Sequence, residues 1–156
     1  MASYFEFLHE HFLILFGGFW VLFIAIVVAS AIHRRRVGKA IFANPPESPI
    51  FLEKWTSGRS LRSLITKVGG ARNCLLVAVT RDALFIQPHF PFTLLFLPEV
   101  YGLEVAVPRR AIRTVNAATD AFGKKVIVTF SNRAGALEQV ELRLRAPDEF
   151  TKSLAA

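Results

Sequence analysis

From Phe12 to Ile32 the chain runs for 21 residues without a charged side chain, and only Gly17, Gly18 and Ser30 interrupt its apolar character. As a helix rising about 1.5 Å per residue the run reaches ~31 Å, enough to cross a hydrocarbon core. It reads as a transmembrane helix. A cleaved leader would carry a basic start, a shorter apolar core and a small-residue cleavage site. Here residues 1–11 hold Glu6 and Glu10 with no Lys or Arg, and His33, Arg34, Arg35, Arg36 and Lys39 follow the run. Cytoplasmic flanks carry the positive excess, so the expected topology is single-pass in a cell membrane, inner or plasma, with residues 1–11 outside and the remainder in the cytoplasm. His33, Arg34, Arg35, Arg36 and Lys39 are the expected contacts to lipid headgroups.

Within the span, Gly18, Leu22, Ala25 and Ala29 recur at four, three and four residues and share one helix face. Small residues on one face let a second helix approach closely, although Gly and Ala are also simply frequent in such helices. Tyr4, Phe5, Phe7 and Leu8 read as a headgroup-depth segment, and Trp20 near the helix middle favours a neighbouring helix as partner for its indole N–H.

The net charge of +7 would ordinarily point to nucleic acid, but its distribution points elsewhere. Residues 33–72 carry nine basic and two acidic side chains, whereas residues 73–156 carry ten and eight. The basic excess therefore lies beside the span, where the inner leaflet is anionic. With no zinc finger, recognition helix or RNA-binding aromatic pattern, a nucleic-acid partner is not expected. Asn44 to Pro49 holds three prolines and reads as a semi-extended linker. Leu61, Leu64, Ile65 and Val68 then fall at helical spacing, with Ser57 or Ser60 as cap and Gly69-Gly70 as stop. This basic amphipathic helix either packs on the following sheet or lies flat on the leaflet, and Trp55 suits both.

From residue 71 the period shortens. Strands are expected at Cys74–Thr80, Ala83–Gln87, Leu103–Val107, Ile112–Ala117, Lys125–Phe130 and Leu137–Leu144, the first two joined by a tight Arg81-Asp82 turn. In the last strand Leu137, Val140, Leu142 and Leu144 face the core and Glu141, Arg143 and Arg145 face water. Pro147-Asp148-Glu149 opens a short C-terminal helix. The expected fold is a transmembrane helix followed, over residues 71–156, by a small antiparallel β-barrel or sandwich with a capping helix; residues 33–70 form the basic collar.

The series "VTRDALFI", "VPRRAIRTV", "KKVIVTFSNRAG" and "VELRLRAPDEFTKSL" resembles the pleckstrin-homology-like superfamily, chiefly its GRAM-type and bacterial members. Val107-Pro108, Ile112 and Val115 match a strand-corner pattern of that family. The resemblance implies a partly open barrel closed by a helix and a docking role. It does not carry over inositol-lipid binding, since the loop between the hairpin strands is only Arg81-Asp82.

Between Pro88 and Pro98 lie His89-Phe90-Pro91-Phe92-Thr93-Leu94-Leu95-Phe96-Leu97, uncharged and strongly apolar. Such a segment is either a further core strand, at Leu94–Leu97, or a docking surface made of Phe90, Phe92, Leu94, Leu95, Phe96 and Leu97. The four histidines and the lone Cys74 fall at no metal-ligand spacing, no nucleophile elbow or phosphate loop occurs, and Glu99 and Glu104 flank a turn. No cofactor, metal or catalytic residue is expected. The sequence thus reads as a non-catalytic accessory or scaffold subunit of an integral membrane complex, or alternatively as a tethered module that binds anionic lipid.

Overall fold

The computed structural model describes residues 2–42, 44–63, 66, 69–95, 101–120 and 123–155. The chain divides into two compact units, Met1–Ile41 and Phe42–Ala156. The first unit is one helix, α1 (Ala2–Arg36). It extends well beyond the uncharged run, because the acidic and aromatic residues before Phe12 continue the helix and the arginines complete its last turn. Its stretch His11–Arg36, 26 residues, is long and apolar enough to cross a membrane. Gly38 stops it. At φ +69° Gly38 donates its N–H to the Arg35 carbonyl, and Lys39 donates to the Arg34 carbonyl, the paired bonds of a Schellman end.

The second unit is a seven-stranded antiparallel sheet in the order β4-β3-β2-β1-β7-β6-β5, with a C-terminal helix. Its elements are β1 (Phe51–Ser60), β2 (Ala71–Val79), β3 (Ala83–Pro88), β4 (Val105–Pro108), β5 (Ile112–Asp120), β6 (Gly123–Ser131), β7 (Leu137–Arg143) and α2 (Pro147–Ala155). Short 3₁₀ turns occupy Phe92–Leu95 and Arg109–Ala111, the second being the corner that carries β4 into β5. The strands from β2 onward coincide with the apolar runs to within a few residues.

Strand β1 was not expected. It is the central strand, pairing with β2 along Phe51 to Gly58 and with β7 along Ser57 to Ser60. Its sequence hides it: only Phe51, Thr56 and Ser60 are buried, because irregular pairing at Trp55 and Ser57 breaks the period of two. The proposed caps Ser57 and Ser60 therefore lie in a strand. Cap-like reciprocal bonds occur instead between Ser63 and Thr66, whose hydroxyls accept each other's backbone N–H at 3.2 and 2.9 Å. Leu64, Ile65, Lys67 and Val68 of the expected amphipathic helix lie outside the described residues.

The core collects one face of the strands. Leu75, Val77 and Val79 of β2 meet Leu84 and Ile86 of β3, Val126, Val128 and Phe130 of β6, and Val140 and Leu142 of β7. Helix α2 inserts Phe150, fully buried, edge-on against Phe51 at 5.4 Å. Arg109 ties this helix down by donating to the Thr80 carbonyl at 3.1 Å and to the Ser153 carbonyl.

Candidate functional site

Three features bear on function, and each follows from local chain geometry. The first is the end of α1. Arg34 turns back on its own chain, donating through Nε and Nη2 to the Ala40 carbonyl at 3.0 and 2.6 Å, while His33, Arg35, Arg36 and Lys39 are exposed. One member of the basic cluster thus helps to secure the helix stop. Gly18, Leu22, Ala25 and Ala29 are all exposed.

The second is a cleft of about 430 Å³ where β1 and β2 part. Gly58 pairs with Ala71 and Thr56 with Leu75, so β2 holds three residues, Arg72 to Cys74, against the single Ser57 of β1. Asn73, at φ +49°, bridges the widening by donating its N–H to Ser57 Oγ at 2.9 Å. Arg59, Arg72, Arg143 and Glu141 line the opening.

Glu141 was expected to face water; it is instead 4% exposed. The register explains this, since Arg59 of β1 lies opposite Glu141 and Ile127 of β6 lies on its other side, next to Val126 and Lys125. Arg59 contributes an ion pair at 3.0 Å and Lys125 one at 3.3 Å, and Asp120 in turn holds Arg143 at 2.7 Å and Lys125 at 3.3 Å. Burial pushes the Glu141 carboxyl upward, but the hydrogen bonds and charges of Arg59 and Lys125 outweigh it and hold the group below its ordinary value. A carboxylate so engaged is an acceptor that clamps three strands together, not a proton donor near neutrality.

The third feature is an aromatic platform, a set of rings where the irregularity in β1 meets the loop after β3. In β2 the side chains alternate, so Leu76 and Ala78 lie on the face opposite the core, with Leu52 of β1 and Phe85 of β3 as their cross-strand neighbours. Trp55 sits at the irregularity in β1, at φ +61°, and its indole stacks on His89 with centroids 4.6 Å apart and planes 15° from parallel. His89 is placed just past β3 by its N–H bond to the Cys74 carbonyl. Phe90 beside it packs on Phe42 at 5.1 Å.

The loop expected to be either core or docking surface is therefore divided. Phe92 packs against the core, Thr93 is buried and Leu94 half-buried, while Phe90 remains 42% exposed. The expected strand at Leu94–Leu97 does not form at Leu94 and Leu95, which end a 3₁₀ turn; Phe96 and Leu97 lie outside the described residues. Glu99 also lies outside them, and the His89 ring stacks on Trp55. Sequence reasoning missed Phe42 and Trp55 as partners of this loop. The signal that was present was only their size, because the segments that meet here are far apart in the chain. Cys74 is buried, which pushes its thiol upward against a backbone hydrogen bond from Arg72. Neither any family model nor any curated protein matches this chain.

Proposed function

We propose that the chain is a non-catalytic, single-pass membrane protein, with His11–Arg36 as its span, its N-terminus outside and its sheet unit in the cytoplasm. Its role is that of an accessory or scaffold subunit whose sheet unit docks onto partner proteins of a larger integral membrane complex. The basic residues after the span support this orientation, and the exposed Gly18, Leu22, Ala25 and Ala29 face gives a partner helix a place to pack. A seven-stranded sheet closed by Phe150 of a C-terminal helix is compatible with a pleckstrin-homology-like domain, a fold used for docking.

The observation that carries the docking role is strand β5. It ends the sheet, pairing with β6 alone among the described residues, and Thr114 to Thr119 carry no charge and no proline. Such an edge accepts an added strand from a partner, with main-chain bonds giving affinity. Purification in gentle detergent should retain a stoichiometric partner chain. The double variant Asn116→Lys, Ala117→Lys should lose that partner while staying in the membrane fraction. A partner retained equally by the variant would contradict docking at β5.

A further inference from the structure

The aromatic platform is unused by that reading of β5, and it has three properties that together define what covers it. Its rings come from separate segments and form two pairs, Trp55 stacked on His89 and Phe42 tilted against Phe90, none of them part of the hydrophobic core. Phe42, Trp55 and Phe90 are 58%, 45% and 42% exposed, with Ile50 and Leu52 also exposed. Trp55 is held in a left-handed conformation that costs a non-glycine residue about 1 kcal/mol, so the chain keeps a strained backbone where it presents an indole.

The platform is also tethered. Phe42 is the sixth residue after Arg36, a reach of at most ~20 Å for extended chain. If Arg36 lies at headgroup depth, Phe42 and the Phe90 ring packed on it are confined to the neighbourhood of that interface, and His89, next to Phe90 in the chain, brings Trp55 with it. The local charge suits a lipid surface: Lys54 beside Trp55 is exposed, while the adjacent Glu53 carboxylate accepts the Arg145 and Ala146 N–H groups at 2.8 and 3.3 Å. Rings with an apolar body and a polar edge collect at headgroup depth. A protein occupant fits poorly, because half-exposed rings of this size offer only ~400 Å² against about 800 Å² per side for a stable protein interface.

We propose that Phe42, Trp55, His89 and Phe90 form an interfacial membrane contact, which seats the sheet unit on the phospholipid headgroup layer of the leaflet that the span enters. This rests on the membrane-spanning reading of α1 and adds a second attachment to it.

The chain contains only two tryptophans, Trp20 in the span and Trp55 in the platform, so each can be made the sole reporter. The full chain carrying Trp20→Phe is reconstituted in phosphatidylcholine vesicles whose acyl chains are brominated near the glycerol. Trp55 emission should fall roughly twofold relative to unbrominated vesicles, as expected for an indole at interfacial depth. Adding Phe42→Ser and Phe90→Ser should remove most of that quenching. The full chain carrying Trp55→Phe, in vesicles brominated deep in the acyl chain, reports insertion of the span through Trp20. Quenching of Trp20 with an unquenched Trp55, whether wet or covered by protein, overturns the platform contact and leaves the span standing. An unquenched Trp20 overturns both.

Discussion

At the scale of single residues, Glu141 is the clearest case of chemistry that alternation alone misassigns. A strand reading puts it in water; the register puts it between Arg59 and Lys125, contributed by β1 and β6. Nothing local to "VELRLR" marks that difference, because the partners are 82 and 16 residues away. Replacing Glu141 by Gln removes the negative charge that Arg59 and Lys125 face, while Lys125 keeps Asp120 at 3.3 Å and the amide oxygen still accepts a hydrogen bond. As Arg59 stays 41% exposed, the expected loss is modest, about 1–2 kcal/mol at neutral pH. The folded carboxyl is held below its unfolded value, so the stabilisation is present above the unfolded carboxylate range near pH ~4.3 and is lost as pH falls through the lower folded value. The Tm difference between wild type and Glu141→Gln in detergent should therefore be largest at neutral pH and close in acid. A difference that persists unchanged in strong acid would refute the assignment. Gly38 is another residue whose part emerges only in the structure: its positive φ lets the helix end just after the basic cluster of its last turn.

Elements were legible in proportion to the regularity of their burial. Strands β3, β6 and β7 alternate or run apolar, and their positions follow from the sequence with errors confined to their ends. β1 failed that test for a physical reason: a strand that changes partner along its length, from β2 to β7, accommodates Trp55 at φ +61° and Gly58 packed against Leu75 and Leu142. A Cβ at Gly58 would stand 2.9 Å from a terminal methyl of each leucine, so a larger residue there would have to displace buried core side chains, although glycine weakens any strand reading. Helix α2, only nine residues long, has little intrinsic stability and holds through Phe150. Phe150→Ala should cost about 3–5 kcal/mol and loosen α2 first, seen as a lowered Tm with early loss of amide protection in Thr151 to Ala155. Protection that falls uniformly through β1 and β2 instead would show that α2 is not separately held.

For the whole molecule, the apolar helix and its basic end are the features that organise everything else. A net charge of +7 and 53% hydrophobic residues describe no single globular unit; they divide between an apolar helix with a basic end and a sheet unit that keeps a basic excess of its own, since β1 carries Lys54 and Arg59 into it. What the sequence could not convey was how separate segments converge, in the Glu141 network and in the aromatic platform, since both depend on strand register. The central claim is that the span places the sheet unit in the cytoplasm. Impermeant maleimide labelling of intact cells addresses it directly, with Ser3→Cys and Arg133→Cys introduced singly; the native Cys74, buried and with its thiol pushed upward, stays silent. Ser3→Cys should react in intact cells and Arg133→Cys only after permeabilisation. Reaction of Arg133→Cys in intact cells would contradict the account.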